Sequence, residues 1–218
     1  MIDFTTARLN MVESQLRTNK VTNAAVLAAF ESVPREMFLP EALRGIAYVD
    51  EDIDVGLGRC MMEPRVLARL LQAAQPGPAD VALEIGCGTG FATAILSRIV
   101  ATAVAVEEDD RFIEAAGAAL SSLQMDNAVV LKGKITDGYP EQGPYNVILI
   151  NGAVAEVPAA ICDQLAEGGR LVTVVRGRDG IGRATLIERH GGTNSGRILF
   201  DAAVPQLQEF EPAPSFVF

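Results

Sequence analysis

The composition indicates a folded protein of ordinary domain size. The chain has 218 residues, of which 49% are hydrophobic, and a formal net charge of −10 at pH 7. This length suits one domain with at most a small appendage, and the apolar content supports a sizeable core rather than a disordered chain. The acidic balance argues against nucleic acid as a partner, because phosphate binding needs clustered Lys and Arg.

The cysteines and the first residues indicate the compartment. Cys60, Cys87 and Cys162 are scattered and form no C-x-x-C pair, so we expect neither a disulfide framework nor a metal site. The N-terminus lacks the basic and apolar regions of a signal peptide, and no apolar run reaches the roughly 18 residues of a spanning helix. We therefore expect a cytoplasmic protein without a membrane partner.

The N-terminal third is predicted to be mainly helical. Apolar residues at helical spacing predict a helix over 4–18, and a capping residue before an apolar stretch predicts another over 23–32. The following acidic stretch is mostly irregular, and Pro64 suits the first turn of a helix over 64–75. The stretch Gln75-Pro76-Gly77-Pro78 then predicts a break between this region and the rest of the chain.

From residue 76 onwards, strand-like and helix-like patterns alternate, which is typical of a parallel sheet with helices on both faces. The predicted strands span 81–85, 102–107, 128–131, 145–151 and 169–175, and the predicted helices span 91–99, 109–122 and 157–166. Two further strand-like runs, 184–189 and 197–204, flank a glycine-rich turn at 191–196. They predict a C-terminal hairpin and hence an antiparallel addition to the sheet.

A glycine-rich loop follows the first of these strands. It contains Gly86, Cys87, Gly88 and Gly90, and Glu84 precedes it within the strand. Glycines let the chain turn sharply and approach a ligand closely, whereas a tight turn with no ligand remains the structural alternative. The dinucleotide fingerprint needs a different spacing. A G-x-G-x-G loop preceded by an acid is instead typical of S-adenosylmethionine (SAM) binding.

The second expected element of such a site is an acid at the end of the next strand. Glu107 occupies that position, where a carboxylate can accept both ribose hydroxyl hydrogens. Glu108 follows and is predicted to contact the base. An acid after a strand is common by itself, so the prediction depends on the order and spacing of the loop and this acid together.

Several separated motifs resemble the protein-L-isoaspartate O-methyltransferase family over nearly the whole chain. An early segment resembles the opening of that family, and a later A-Y-x-D, the cofactor loop and two strand-entry segments follow in the family order. These motifs read MVESQLRTNKVTNAAVLAAFESVPREMFLP, AYVD, LEIGCGTGFATAILSR, GYPEQGPYNVILI and QLAEGGRLV.

The resemblance implies a fold and a reaction. The expected fold is an α/β Rossmann-like SAM-dependent methyltransferase: a mostly parallel seven-stranded sheet, a C-terminal antiparallel hairpin and an N-terminal helical cover. The cover and substrate loop would span 1–75 and the SAM-binding core 76–218, as one compact unit. The implied reaction is methyl transfer to the carboxylate of an isoaspartyl residue. A carboxylate is already ionised at neutral pH, so the only histidine, His190 in a turn-like stretch, is not needed as a base.

The substrate loop departs from the family pattern, which is close to G-Q-T-I-S-x-P. Here Cys60 replaces the threonine, and Met62 replaces the serine that the resemblance implies positions the substrate carboxylate. A thioether cannot donate a hydrogen bond. Arg59 or Arg65 would bind a carboxylate instead, unless both are solvated surface charges.

The adenine side also departs from the family pattern. The family usually has Gly-Asp-Gly with the Asp near the adenine amino group, and Lys134 stands in its place. Lysine cannot accept a hydrogen bond, whereas the backbone around Ile135 still can contact adenine. Asn151 lies at the carboxyl end of a predicted strand, where either a site residue or a turn-forming Asn before Gly would be found.

Three hypotheses follow. The main one is a SAM-dependent O-methyltransferase that acts on a protein or peptide carboxylate. The second keeps the enzyme but gives it a different acceptor, such as a small molecule, because Cys60 and Met62 make the pocket more apolar. The third is a catalytically inactive SAM-binding homologue with a regulatory role. The sequence does not indicate the oligomeric state.

Overall fold

A computed structural model describes residues 2–177 and 179–211, and a seven-stranded sheet is its centre. The strand order is β5-β4-β3-β6-β7-β8-β9. Strands β3 to β7 run parallel, and β8 and β9 extend the sheet in antiparallel pairs. The predicted Rossmann-like fold with a C-terminal antiparallel hairpin is therefore confirmed.

The N-terminal region is helical apart from one small hairpin. Its helices and strands are α1 Phe4–Met11, α2 Ala24–Ser32, β1 Ile53–Gly56, β2 Arg59–Met61 and α3 Pro64–Ala74. Helix α1 continues through a π turn and a 3₁₀ turn to Asn19, which together cover the predicted first helix. The side chain of Asn23 caps α2 by accepting from Val26 N–H, as its residue type predicts.

The core elements alternate as the apolar pattern predicts. They are β3 Val81–Ile85, α4 Phe91–Ser97, β4 Thr102–Glu107, α5 Asp110–Ser122, β5 Ala128–Lys132, β6 Tyr145–Val154, α6 Ala159–Cys162, β7 Leu165–Arg176, β8 Gly182–His190 and β9 Thr193–Asp201. The strand order reverses between the neighbouring strands β3 and β6, because the chain passes from β5 at one edge back to the centre of the sheet. Ligands of such sheets bind at this reversal, outside the carboxyl ends of the strands.

The two faces of the sheet are packed differently. Alternate residues of the central strands face α2, α3 and α4, which form the larger apolar cluster. The opposite residues face a second cluster that includes α6, Ile135 and the C-terminal residues Leu207 and Phe210. Several helices therefore cover one face, whereas short turns and the segment around Leu207 and Phe210 cover much of the other.

Two predicted elements have different bounds in the structure. The helix predicted over 157–166 ends at Cys162, because Leu165 already pairs with Tyr145 at the beginning of β7. A short apolar run has no periodicity that would distinguish these states. The hairpin turn is also shorter than the predicted 191–196. Gly191 and Gly192 both have positive φ, which suits a two-residue hairpin turn, so pairing begins at Thr193.

One buried cation joins the N-terminal region to the core. Arg35 Nε donates to Ala47 O at 2.7 Å and its Nη2 donates to Met62 O at 2.9 Å. Its guanidinium lies 4.8 Å from the ring centroid of Phe91 in α4. Burial lowers the pKa of Arg35 to about 10, so the side chain is still charged at neutral pH. The substrate loop and the cover are thereby tied to the helix that follows the glycine loop.

None of the helices within 2–177 and 179–211 is long and apolar enough to cross a membrane.

Replacing Arg35 with Met should destabilise the protein by about 3 kcal/mol, since two buried carbonyls lose charged donors. Urea unfolding followed by circular dichroism measures this loss. Arg44→Met is the matched control, because Arg44 is exposed and its change should stay within about 0.5 kcal/mol. Equal unfolding midpoints for the two variants would contradict the linking role of Arg35.

Candidate functional site

The glycine loop lies at the carboxyl end of β3 and leads directly into α4. Gly86 N–H donates to Val106 O at 3.0 Å, which fixes the loop against β4. Gly90 has φ +89°, and a Cβ there would lie 2.8 Å from Ala116 Cβ in α5. Only glycine meets both conditions, so the glycine at this position follows from its packing against α5.

Glu84 lies beneath this loop with both carboxylate oxygens already used. Its Oε1 accepts from Asn151 Nδ2 at 2.7 Å, and its Oε2 accepts from Thr93 Oγ1 at 2.5 Å. Burial raises the pKa of Glu84 to about 8, more than these two donors lower it. Glu84 therefore connects β3, α4 and β6 below the loop and is mostly protonated at neutral pH.

Glu107 ends β4 and is completely buried. Its Oε2 accepts from Gly88 N–H at 3.0 Å and its Oε1 accepts from Glu108 N–H at 2.8 Å. Arg59 completes the shell, because its Nε and Nη2 donate to the same two oxygens at 3.1 and 2.9 Å. The structure thus brings together the predicted loop and the predicted acid, with an arginine between them and the solvent.

Arg59 is only 4% exposed and holds a second carboxylate as well. Its Nη1 and Nη2 donate to the Glu209 carboxylate at 3.1 and 2.8 Å. Burial disfavours the charged guanidinium, but the bonds to Glu107 and Glu209 outweigh it and raise the pKa of Arg59. Arg59 is therefore not a solvated surface charge, and the carboxylates it binds belong to this chain.

The predicted adenine-side residues lie at the end of β5. Ile135 is buried, and its N–H donates to Glu108 Oε1 at 2.9 Å, which joins this turn to the end of β4. Lys134 is exposed and directly precedes the turn. The backbone around Ile135 and the Glu108 carboxylate are thus close together, whereas the lysine side chain lies at the surface.

The substrate-loop residues face a small cavity of about 10 Å³, which holds one water molecule at most. Met62 and Cys87 are buried in its wall, and Cys60 is half-buried there. Burial raises the pKa of Cys60 to about 12, so its thiol is not a nucleophile at neutral pH. Asn151 also lines this cavity, and its buried Oδ1 has no hydrogen-bond partner among residues 2–177 and 179–211.

Sequence reasoning missed the C-terminal contribution to this site. Leu207 packs over the loop: a Cβ at Gly86 would lie 3.4 Å from its side chain, and one at Gly152 only 2.6 Å. Backbone bonds hold the segment there, since Ala153 N–H donates to Pro205 O and Leu207 N–H donates to Ala153 O. The only available signals were an apolar residue before Glu209 and a glycine after Asn151, and neither is specific.

No cluster of three or more His, Cys, Asp or Glu side chains suited to a metal ion occurs among the residues that the structure describes.

Comparison with known proteins identifies the family. Residues 7–201 match the family described as protein-L-isoaspartate(D-aspartate) O-methyltransferase (PCMT). The chain belongs to the PCMT family. This membership confirms the predicted enzyme class, a SAM-dependent methyltransferase.

Curated relatives and solved structures agree with this family. The chain is 37% identical over 168 residues to the protein-L-isoaspartate O-methyltransferase of Pelotomaculum thermopropionicum, covering 77% of this chain and 73% of that one. It is 38% identical over 177 residues to that of Roseiflexus castenholzii, covering 81% of each.

Two solved structures share the fold. A protein-L-isoaspartate O-methyltransferase has a TM-score of 0.80 at 25% identity, over 92% of this chain and 65% of that chain, which is less than two thirds of its length. A beta-aspartate methyltransferase (PCMT) of Plasmodium falciparum, in complex with S-adenosyl-L-homocysteine, has a TM-score of 0.80 at 18% identity. It covers 96% of this chain and 100% of that one.

The site residues are of the types that the cofactor of the PCMT family needs. In this structure, however, other side chains of the chain occupy the atoms that the cofactor would contact. The glycine loop and the acid that ends β4 are the residue types a nucleoside cofactor needs. However, the Glu107 carboxylate accepts four N–H donors, two of them from Arg59. Four donors saturate a carboxylate, so a ribose diol can bond to Glu107 only if Arg59 leaves.

The raised pKa of Glu84 predicts a specific pH dependence of stability. The folded protein keeps this proton up to about pH 8, whereas the unfolded chain loses it at the ordinary glutamate pKa. Stability therefore falls as pH rises through that window, and Glu84→Gln should remove this part of the fall. Urea unfolding at about pH 6 and pH 8 measures it, with the exposed Glu114→Gln as a control that keeps the wild-type dependence. A parallel pH dependence in Glu84→Gln and wild type would refute the assignment.

Proposed function

We propose that this protein transfers a methyl group from SAM to the carboxylate of an isoaspartyl residue in a protein or peptide. The observation that carries the proposal is the match to the PCMT family over residues 7–201, which spans the glycine loop, Glu107 and the substrate loop together. Relatives that are 37% and 38% identical are named protein-L-isoaspartate O-methyltransferases.

The cofactor side of the proposal assigns roles to residues around the ends of β3, β4 and β5. Gly86, Cys87, Gly88 and Gly90 would let the backbone approach the cofactor, and Glu107 would accept its ribose hydroxyls. Glu108 and Ile135 would lie on the adenine side, with Lys134 at its solvent edge. Glu84 would support the loop from below, because its own oxygens are occupied by Thr93 and Asn151. Bound SAM would supply an electrophilic methyl group.

The acceptor side agrees with a reaction that needs no general base. The substrate carboxylate is ionised at neutral pH, so the protein has only to align it and exclude water. Cys60 and Met62 would form the apolar wall beside the carboxylate. Asn151 offers a buried, unpartnered Oδ1 at the same cavity, which would accept an N–H of the acceptor peptide.

A larger, open cleft reaches the substrate loop at Glu63. Its volume is about 710 Å³, and its other lining residues come mainly from α3, the turn between β7 and β8, and the end of β9 with the segment that follows it. Arg65 lines this cleft and is paired with Glu63 at 3.0 Å, and Arg69 lies 3.5 Å from the ring centroid of Phe200. A cleft of this size has room for part of an acceptor peptide, although pockets for small molecules span the same range of about 300 to 1,000 Å³.

We also propose a cytoplasmic location and the division into a cover, 1–75, and a core, 76–218. The three free cysteines support a reducing compartment. The links from Arg35 to the substrate loop and to Phe91 support one compact unit, in which the cover moves little relative to α4.

Incubation with methyl-labelled SAM and an isoaspartyl peptide should yield a base-labile methyl ester. The same peptide with ordinary aspartate is the matched control and should gain about 10-fold less label, because its carboxylate is placed one bond differently. Gly90→Val should abolish labelling, since its side chain would collide with Ala116.

The other outcomes separate the alternatives. Label on a small molecule of a cell extract, with none on the peptide, would favour the different-acceptor hypothesis. Binding of S-adenosyl-L-homocysteine (SAH) with no methylated product from any fraction would favour the inactive homologue.

A further inference from the structure

The Glu107–Arg59–Glu209 triad brings together residues that are distant in the chain. Glu107 is at the end of β4, Arg59 begins β2, and Glu209 lies in the final 3₁₀ turn, Gln208–Phe210. Each carboxylate receives two N–H bonds from the one guanidinium, at distances from 2.8 to 3.1 Å. Arg59 is thus held on both sides, directly in front of the oxygens that a ribose diol would need.

The triad also covers the glycine loop. A Cβ at Gly88 would lie 3.7 Å from Arg59 Cβ, so the arginine stem lies against the loop backbone. Leu207 lies over Gly86 on the other side. The ribose position and the loop surface beside it are therefore occupied by side chains of this chain.

The hairpin that carries Arg59 is separate from the main sheet. β1 and β2 pair only with each other, through a register shift between Asp54 and Gly56. Leu57 at its tip has φ +56°, an unfavourable conformation for a branched apolar residue, and is 52% exposed. Ile53 and Met61 are buried in the main apolar cluster and hold the hairpin in place. The part that can leave Glu107 is therefore the long Arg59 side chain, by rotation about its own bonds.

The other side of the triad comes from a segment beyond the family match. The match ends at residue 201, and Glu209 and Leu207 follow it. Glu209 is 29% exposed, and its bonds to Arg59 lower its pKa although burial opposes this. Its carboxylate gives Arg59 a charged partner outside the cofactor site.

We propose that Arg59 is an internal competitor of the cofactor: its pairing with Glu107 and the binding of the cofactor ribose are mutually exclusive, and Glu209 keeps Arg59 in the closed position. The inference rests on the proposed function only for the identity of the cofactor. Binding then requires the Arg59 side chain to leave Glu107, and the apparent affinity is the intrinsic affinity multiplied by the fraction of molecules in which it has left.

The test is calorimetric titration of the full chain with SAH. Arg59→Gln removes the cation, so it should bind SAH at least about 10-fold more tightly than wild type, even though its melting temperature falls. The matched control is Arg170→Gln, which breaks a pair with Asp80 at 2.7 Å beside the amino end of β3. This control should lose stability with its SAH affinity unchanged. A purely structural role for Arg59 would lower stability without tightening SAH.

A double variant tests whether the competition acts through Glu107. On a Glu107→Gln background, Arg59→Gln should give no further gain in SAH affinity, because the contested carboxylate is gone. If Arg59→Gln does not fold, Arg59→Lys takes its place. Lysine keeps the charge but cannot make two N–H bonds to each carboxylate, so its SAH affinity should lie above that of wild type.

Unchanged or weaker SAH binding in Arg59→Gln, or in Arg59→Lys where that variant replaces it, overturns the proposal. So does an equal gain with and without the Glu107 carboxylate. The assay does not depend on methyl transfer. Tighter SAH binding without any methyl ester on the isoaspartyl peptide would therefore sustain the competition and contradict the proposed acceptor.

Discussion

The fully buried carboxylate of Glu107 is the constraint around which the site is arranged. A buried charge is costly unless it is paired and hydrogen-bonded, so every group near the end of β4 is placed to satisfy it. The backbone of Gly88 and of Glu108 supplies two donors, and Arg59 supplies two more. Three parts of the chain are thereby linked to this carboxylate. The glycine loop bonds to it through Gly88, the β1–β2 hairpin bonds to it through Arg59, and the C-terminal segment is linked to it by the bonds between Glu209 and Arg59.

The two acidic residues of the predicted motif have different hydrogen-bond donors around them. Glu84 has only two neutral side-chain donors, and burial leaves it protonated at neutral pH. Glu107 instead accepts from a guanidinium and two backbone N–H groups. A neutral acid below the loop suits a structural link between strands, whereas the acid at the strand end is placed among N–H donors beside the glycine loop.

The chemistry proposed for this protein agrees with what the site contains and with what it lacks. Methyl transfer to an ionised carboxylate needs alignment and the exclusion of water, and the cavity beside Met62 and Asn151 is too small for more than one water molecule. Cys60 lines the same cavity, but burial raises its pKa and keeps it a neutral thiol, so it does not act as a nucleophile. The buried Arg35 keeps the wall of this cavity in place by bonding to the Met62 carbonyl.

The sequence by itself determined the order of strands and helices, the glycine loop and the acids at 84 and 107, because each depends on a local pattern of a few residues. It failed at the helix over 157–166 and at the length of the last hairpin turn, where pairing with Tyr145 and two adjacent glycines set the bounds. Only the tertiary structure decided that Arg59 bonds to both Glu107 and Glu209. Residues so distant in the chain leave no periodic or local signal, and a charged side chain in a loop is indistinguishable from a solvated one until the fold buries it.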